Sequence, residues 1–379
     1  MKADSFVLIP DSFKGTMSSS EICGIFRKVI SKYYPEASIT SIPVADGGEG
    51  SVDAFLQAIG GQRIAVSVSG PFSEKVDCCY GLVNGDTAVI EMASCAGLPL
   101  ADGKLNPLVT STYGVGEQML DAARRGCRKI IVGLGGSCTT DGGCPAAAAC
   151  GVKFLDHEGK SFVPAGGTLS RIARIDASGL DPAFSGVRIT AMCDVDNPLY
   201  GENGAACVFG PQKGADPEMV RTLDCGLEVL GDRILDGLGV DVRTLPGGGA
   251  AGGMGAGMVA FFGAELRMGI ETVLDAVDFD EKARNADFVF TGEGKIDSQS
   301  LRGKVVIGVA RRVRASHSKA RVIAFVGDIG DGIEAVYSQG VDAIFSTNRL
   351  AIPFRESRIR AKSDLELTAD NILRFLSIL

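Results

Sequence analysis

The sequence predicts an α/β protein in which a Rossmann-like parallel-sheet domain, built from both chain ends, carries a large inserted α+β domain. Strand and helix patterns alternate near both ends of the 379 residues, the middle contains runs typical of antiparallel strands, and no internal repeat occurs. We predict the first domain from residues 1–60 and 275–379 and the second from 61–274, with the active-site cleft between them.

The N-terminal segment predicts two β-α units. Its strand candidates are continuous apolar runs, which are typical of parallel strands covered on both faces. Ser18 and Glu21 form the sequence of a capping box at the start of the first helix, and Gly60 ends the second. The predicted elements are strands at 6–10 and 38–45 and helices at 18–34 and 49–59.

The middle of the chain changes to a period of two, which is typical of antiparallel strands with one exposed face. Asn84-Gly85 lies between two such runs, and this dipeptide is the strongest short signal for a β-hairpin. The predicted elements are strands at 63–69, 75–83, 87–93, 129–134 and 187–193 and helices at 111–126, 141–151 and near 216–236.

The C-terminal part returns to alternating strands and helices. Before it lies the uncharged segment 244–264, in which eight residues are glycine. Because so few of its residues favour a bilayer, we predict a glycine-rich loop running into a buried helix rather than a membrane span. The later predicted elements are strands at 287–292, 321–327 and 342–346 and helices at 303–315, 331–339 and 363–378.

Composition excludes several classes of function. The net charge is −8, aromatic residues make up 6% of the chain and Trp is absent, so a nucleic-acid binder is not expected. Two histidines leave little material for a His-based triad or metal site. Eleven cysteines without a C-x-x-C motif indicate buried thiols in a reducing compartment. No secretory signal is visible, so we expect a cytoplasmic protein with no membrane partner.

Two polar loops follow the N-terminal strands, where ligands of open α/β sheets bind. Asp11, Ser12 and Lys14 precede a helix N-terminus, whose N–H groups favour anions. Asp46 and Glu49 flank two glycines, which suits Mg²⁺ or a polyol hydroxyl group. A capped turn is the alternative for the first loop, and a turn with a helix-dipole acid is an equal alternative for the second. We predict substrate binding for all five residues and a catalytic role for Lys14.

Two further loops follow strands of the middle region. Gly133–Gly143 has the outline of a phosphate cradle, although the Gly-Lys-[Ser/Thr] ending of a Walker A motif is absent. Asp194 and Asp196 follow the next strand, whose alternation would aim both carboxylates to one side. We predict cofactor binding for Gly135, Gly136, Ser137 and Thr139, and roles as catalytic base or metal ligand for Asp194 and Asp196.

Three glycine-rich segments complete the set. Lys213 lies beside Gly214, a weak signal alone, and we predict that it binds substrate. Pro246–Gly257 contains G-x-G-x-x-G, but such a match is expected by chance in a run this rich in glycine. In the segment Thr291–Ser298, we predict cofactor binding by Gly292, Gly294 and Lys295, catalysis by Lys295 and metal binding by Asp297.

Acids, lysines and glycine loops therefore occur together, without a Cys or His nucleophile beside a base. Phosphoryl transfer depends on such a set, because it needs positioning, a metal and charge neutralisation. The residues indicate a Mg-nucleotide-dependent kinase for a small molecule and leave the acceptor open. The alternatives are a non-catalytic metabolite-binding regulator and a dinucleotide oxidoreductase, which bound NAD or flavin would reveal.

Seven sequence blocks resemble the signature of the bacterial glycerate kinase type I family. They occur in the family's order between residues 6 and 310: IPDSFKGTMSS, PVADGGEGS, GLGGSCTTDGG, CDVDNPLYG, FGPQKGA, GGGAAGGMGAG and TGEGKIDSQS. The resemblance implies ATP-dependent phosphorylation of D-glycerate, Mg²⁺ and a two-domain fold, with 2-phosphoglycerate favoured as product over 3-phosphoglycerate. Another small hydroxy acid or polyol is the alternative acceptor, and a monomer or homodimer is expected.

On this reading, D-glycerate places its carboxylate near Lys14 or Lys295 and its hydroxyl group near Asp194 or Asp196. The Gly135–Ser137 and Gly292–Gly294 loops are expected to hold nucleotide phosphates. The C-terminal end of the chain matches the family least, so the role of the terminal helix stays open.

Overall fold

The computed structural model describes residues 3–44, 47–48, 50–297, 300–302 and 304–378. The strands are β1 (Ser5–Pro10), β2 (Ser38–Ser41), β3 (Gln62–Ser69), β4 (Lys75–Val83), β5 (Thr87–Glu91), β6 (Lys129–Gly133), β7 (Lys153–Leu155), β8 (Ser161–Phe162), β9 (Arg174–Asp176), β10 (Arg188–Met192), β11 (Glu265–Arg267), β12 (Phe288–Ile296), β13 (Arg321–Ile329) and β14 (Ala343–Ser346). The helices are α1 (Ser19–Tyr33), α2 (Ser51–Ile59), α3 (Ala93–Ala96), α4 (Tyr113–Arg124), α5 (Cys144–Ala149), α6 (Ala205–Phe209), α7 (Pro217–Leu238), α8 (Ala250–Phe262), α9 (Gly269–Ala276), α10 (Phe279–Arg284), α11 (Val305–Ala315), α12 (Ala335–Ser338) and α13 (Phe354–Ile378).

Contacts divide the chain into two compact units. Unit 1 consists of Met1–Ala45, Gln57–Ile59 and Ile270–Leu379, and unit 2 consists of Asp46–Leu56 and Gly60–Gly269. Each unit has its own sheet and its own buried clusters of apolar side chains.

Within the described residues of unit 1, five strands form a parallel sheet in the order β14-β13-β12-β1-β2. Counted along the unit, this is 5-4-3-1-2, the order of flavodoxin-type doubly wound sheets. The strand order reverses between β1 and β12, and ligands of such sheets bind beside the loops that follow the strands at this point. The predicted parallel sheet with strands from both chain ends is therefore confirmed.

Phenylalanines fill one face of this sheet. Phe6, Phe288, Phe290 and Phe325 are buried in one cluster with Phe26 of α1, and the ring centroids of Phe26 and Phe325 lie 4.6 Å apart. α13 adds apolar residues to the same cluster, whereas α11 contacts β1, β12 and β13 with residues outside it. Because helices cover the sheet, its strands are continuous apolar runs, which made them predictable.

Two helices of unit 1 differ in length from the prediction. α13 begins at Phe354, before the expected start at 363, because its first turns are charged and exposed and show no apolar period. Ion pairs support it, including Lys362 with Glu21 of α1 at 2.5 Å. α12 begins only at Ala335, because Gly332 has a φ of +74°, which ends helical geometry in the predicted segment 331–339.

Six strands of unit 2 pair in the order β11-β10-β6-β5-β4-β3 within the described residues. β5, β6, β10 and β11 are parallel, and β3, β4 and β5 are antiparallel neighbours. Asn84 and Gly85, with φ of +52° and +79°, turn the chain between β4 and β5. This is the geometry for which Asn-Gly is favoured, so the predicted hairpin is confirmed. A small antiparallel sheet, β8-β7-β9, lies in the same unit.

The glycine-rich segment before β11 runs into the buried helix α8, as predicted. Ala251, Gly252 and Gly253 interrupt this helix with positive φ values. A Cβ atom on Gly252 would lie 2.1 Å from the carbonyl oxygen of Thr139, so the close approach of two backbones requires glycine there. In the described part of the chain, no helix is both long enough and apolar enough to cross a membrane. The cysteines are free thiols, most of them buried.

Candidate active site

The predicted site residues fall into two clusters, one in each unit. The cluster of unit 1 contains Asp11, Ser12, Lys14, Gly292, Gly294, Lys295 and Asp297. The cluster of unit 2 contains Gly135, Gly136, Ser137, Thr139, Asp194, Asp196 and Lys213. Asp46 and Glu49 lie outside the described residues, so their predicted roles in substrate binding stay predictions.

In unit 2, the loop after β6 lies directly against the glycine pair at 47–48. The N–H group of Gly135 donates to the carbonyl oxygen of Gly47 at 3.0 Å. A Cβ atom on Gly135 would lie 2.7 Å from the Cα atom of Gly48, closer than real Cβ contacts. Contact between the backbones of the two loops is therefore possible only without side chains.

A pocket of about 230 Å³ opens beside this loop. Its polar lining comes from Gly135, Gly136, Ser137, Asp194, Gln212 and Lys213, and residues such as Leu98 and Phe209 add apolar wall. The loops after β6 and β10 supply four of these polar residues, and a single 3₁₀ turn at Pro211–Lys213 supplies the other two. The pocket therefore lies where the carboxyl ends of two adjacent parallel strands meet.

Lys213 is buried at one side of this pocket, with 2% of its surface exposed. Its Nζ donates to the hydroxyl oxygen of Ser137 at 3.0 Å and to the carbonyl oxygen of Thr139 at 2.5 Å. Both acceptors are uncharged, and among the described residues the Asp141 carboxylate attracts Lys213 electrostatically without forming an ion pair with it. Burial lowers the pKa of Lys213 to about 8 because it disfavours the charged ammonium.

Asp194 and Asp196 occupy different environments, which corrects the prediction that both point to one side. β10 ends at Met192, so the strand alternation does not extend through the two acids. Asp194 is half-buried, lines the pocket and accepts a hydrogen bond from the N–H group of Gly269 at 2.8 Å. Asp196 is exposed and lies outside the pocket lining. Only Asp194 can therefore contact a ligand in this pocket.

Thr139 and Asp141 stabilise the loop from within. The side chain of Thr139 is fully buried, and this residue acts through the carbonyl oxygen that Lys213 contacts. Asp141, to which sequence reasoning gave no role, accepts hydrogen bonds from the N–H groups of Thr112 at 2.8 Å and Gly143 at 3.0 Å. Burial raises the pKa of Asp141 to about 6. The position of Asp141 between threonines and two glycines before a helix was the signal available.

In unit 1, the loop after β1 lies beside β12. The N–H group of Asp11 donates to the carbonyl oxygen of Gly292 at 2.8 Å, and the Asp11 carboxylate accepts from the N–H group of Ser12 at 2.7 Å. Lys14 is exposed, and so is Lys295, whose Nζ lies 3.6 Å from the Asp297 carboxylate. This edge of the sheet therefore carries lysines and acids together.

Gly292 and Gly294 lie within β12, which corrects the prediction that they form a loop. β12 continues to Ile296, because β13 pairs with it beyond residue 292. A Cβ atom on Gly292 would lie 2.1 Å from the carbonyl oxygen of Phe325. Close packing of neighbouring strands therefore accounts for this glycine.

Glu293 is a residue that sequence reasoning missed. It lies between the two glycines with 5% of its surface exposed, and its Oε1 has no hydrogen-bond partner among the described residues. Burial raises the pKa of Glu293 to about 7, with further increases from the charges of Asp11 and Asp297. A hydrogen bond from Ser300 and the charge of Lys304 oppose this shift. A carboxyl group flanked by two candidate glycines was the available signal.

Metal binding by the described acids depends on how many of them lie close together. Among the residues that the structure describes, no group of three or more His, Cys, Asp or Glu side chains could hold a metal ion. Mg²⁺ commonly binds through one or two carboxylates together with substrate phosphates and water. Asp194 and Asp297, one acid in each unit, fit that mode of binding and do not fit an all-protein metal site.

Known proteins resemble this chain along nearly its whole length. The model of the glycerate kinase family matches residues 6–377. A glycerate kinase of Halalkalibacterium halodurans is 45% identical over 372 residues, with 97% of each chain covered. A glycerate 2-kinase of Escherichia coli K12 is 45% identical over 342 residues, covering 90% of this chain and 89% of the relative. A crystal structure described as a glycerate kinase 2 of Salmonella typhimurium LT2 has a TM-score of 0.87 and 40% identity, covering 100% of this chain and 99% of the other.

Proposed function

This chain belongs to the glycerate kinase family and is a glycerate kinase, and on that premise we propose that it transfers the γ-phosphoryl group of ATP to D-glycerate with Mg²⁺. The pocket of unit 2 carries the proposal, since it combines a buried ammonium group with a carboxylate at the ends of parallel strands. We propose 2-phosphoglycerate as the product, supported by the 45% identity to a relative named glycerate 2-kinase.

The sheet edge of unit 1 is proposed to bind the nucleotide phosphates. Lys14, Lys295 and Lys304 are exposed there, near the point at which the strand order reverses. Lysine side chains stabilise the charge that develops on transferring phosphoryl oxygens, and such reversal points are common ligand sites. This proposal keeps the predicted phosphate contact of Lys295 and replaces the backbone of Gly292 and Gly294, which is part of β12, by the side chains of Lys14 and Lys304.

Mg²⁺ bound with the nucleotide would neutralise phosphoryl charge, and we propose Asp297 as a residue that would hold it. Asp194 is proposed to orient the acceptor hydroxyl group, because it is the acid that lines the pocket. Its hydrogen bond from Gly269 fixes the direction of the carboxylate. Orientation of the attacking hydroxyl group contributes to rate by holding the reacting atoms in line.

A coupled assay of ATP consumption over a panel of small hydroxy acids and glycerol tests the proposal. We expect turnover with D-glycerate and Mg²⁺, loss of turnover when EDTA removes Mg²⁺, and a product whose phosphorus and carbon NMR signals identify phosphorylation at C2. Absence of turnover with D-glycerate would contradict the proposed substrate. Phosphorylation at C3 would contradict the proposed product alone.

A further inference from the structure

The pocket of unit 2 brings together two sets of predicted residues that were expected to bind different ligands. Gly135, Gly136 and Ser137 were predicted to hold nucleotide phosphates, and Lys213 was predicted to bind substrate. All four line one pocket of about 230 Å³. The two predictions name different ligands for one pocket, so its occupant is decided here from its chemistry.

We propose that this pocket is the binding site for the acceptor acid, with the substrate carboxylate on Lys213 and the loop N–H groups and a substrate hydroxyl group on Asp194. This assignment rests on the proposed function, because it takes the acceptor to be a three-carbon hydroxy acid. It replaces the expectation that the Gly135–Ser137 loop binds nucleotide phosphates, and it replaces Lys14 and Lys295 as partners of the substrate carboxylate.

Pocket size favours a small acid. Sites for drug-sized ligands have volumes of about 300–1,000 Å³. The pocket here has about 230 Å³ and lies below that range. A three-carbon acid fits within such a volume, whereas a whole nucleoside triphosphate would extend beyond it.

The charge on Lys213 favours an anion. Its ammonium group is 2% exposed and is hydrogen bonded only to uncharged oxygens of Ser137 and Thr139 among the described residues. An ammonium group has three donors, so one remains for a ligand. The Asp141 carboxylate attracts this cation without forming an ion pair with it. A buried cation without a directly paired anion is unfavourable, so an anionic ligand would add a direct countercharge.

The backbone of the loop adds further donors for the same anion. In the described part of the chain, the N–H groups of Gly136 and Ser137 have no acceptor, and both residues line the pocket. Gly136 has a φ of +74°, a left-handed conformation that favours glycine and turns the loop at this point. Two backbone donors beside an ammonium group match the acceptor-only chemistry of a carboxylate.

Asp194 distinguishes a hydroxy acid from a simple anion. Its carboxylate lines the pocket that Lys213 also lines, and an ionised carboxylate only accepts hydrogen bonds. A hydroxyl group of the ligand can donate to Asp194, whereas a phosphate oxygen without a bridging cation would be repelled by its negative charge. A cation at one place and an anion at another therefore select a molecule that carries both a carboxylate and a hydroxyl group.

Steady-state kinetics of Lys213→Met test the assignment, because Met removes the charge and keeps an unbranched side chain. We expect the KM for D-glycerate to rise about 30-fold or more, as for loss of one partner of a buried hydrogen-bonded charge pair. The KM for ATP should change less than about 3-fold, because the proposal gives Lys213 no contact with the nucleotide. The preference for D-glycerate over glycerol, which lacks a carboxylate, should fall with the variant.

Lys129→Met is the matched control, because Lys129 is exposed at the opposite end of β6. It should leave both KM values unchanged. If Lys213→Met does not fold, calorimetry gives a second measurement. It detects the binding of D-glycerate to the wild-type protein in the absence of nucleotide. We expect saturable binding that glycerol does not compete with.

Each failure is distinguishable. A wild-type protein that consumes no ATP with D-glycerate would contradict the proposed function. An active wild-type protein whose Lys213→Met variant keeps its KM for D-glycerate, or raises only the KM for ATP, would overturn the pocket assignment alone. Calorimetry that detects no D-glycerate binding, or equal competition by glycerol, would overturn it too.

Discussion

Replacement of Glu293 by Gln should stabilise the folded protein at high pH. Burial raises the pKa of Glu293 from 4.5 to about 7 in the folded state. Each pKa unit corresponds to about 1.36 kcal/mol, so ionisation of this group lowers the free energy of unfolding by about 3 kcal/mol above pH 7. Below pH 4.5 the carboxyl group is protonated in both states and contributes nothing.

The sign follows from the direction of the shift. Because the folded-state pKa is raised, the wild-type protein loses stability as pH rises from 4.5 to 7, and Gln cannot ionise. The stabilisation by Glu293→Gln should therefore approach about 3 kcal/mol at pH 8 and fall below about 1 kcal/mol at pH 5.

Urea unfolding of the ligand-free protein at pH 5 and at pH 8 measures the two free energies of unfolding. Far-UV circular dichroism monitors it, because the chain has no Trp. Asp328→Asn is the control, since Asp328 is an exposed acid of the neighbouring strand β13. It should change stability by no more than about 0.5 kcal/mol at either pH. Equal effects of Glu293→Gln at pH 5 and pH 8, or destabilisation at both, would refute the reasoning.

Three further substitutions test other parts of the molecule. Asp194→Asn should lower the turnover number by about 100-fold or more because orientation of the hydroxyl group is lost. Asp196→Asn is the control and should keep its turnover number, because Asp196 is exposed and outside the pocket. Equal turnover numbers of the two variants would contradict separate roles for these acids. Gly135→Ala should destabilise the protein by about 1–3 kcal/mol, seen as a lower urea midpoint, because its Cβ would overlap backbone 2.7 Å away. Leu365→Ala in the terminal helix should lower the free energy of unfolding by about 2–5 kcal/mol because Leu365 is fully buried. Glu366→Gln should lower it by less than about 1 kcal/mol because the ion pair of Glu366 is exposed. Thermal unfolding in which Glu366→Gln is the less stable variant would contradict this.

Local sequence was sufficient for the central strands of unit 1 and for the hairpin. β1, β12 and β13 contain apolar runs because both faces of the sheet are covered there, and that pattern needs no knowledge of neighbours. Asn84-Gly85 predicted its turn because few other residues adopt two successive positive φ values. Element ends were less predictable: β12 passes through Gly292 and Gly294 because pairing with β13 continues, and glycine alone had indicated a loop.

The sequence by itself determined the fold class, the family blocks and the residue types needed for phosphoryl transfer. Tertiary structure decided how those residues are grouped and which of them are buried. Lys213 contacts Ser137, which lies 76 positions earlier in the chain, and nothing near Pro211–Gly214 indicated that its ammonium group would be buried. Glu293 has its raised pKa for the same reason, because burial is imposed by distant segments that pack around a side chain. Periodicity and turn chemistry are local properties of the chain, whereas desolvation and pairing of charges arise only when remote segments meet.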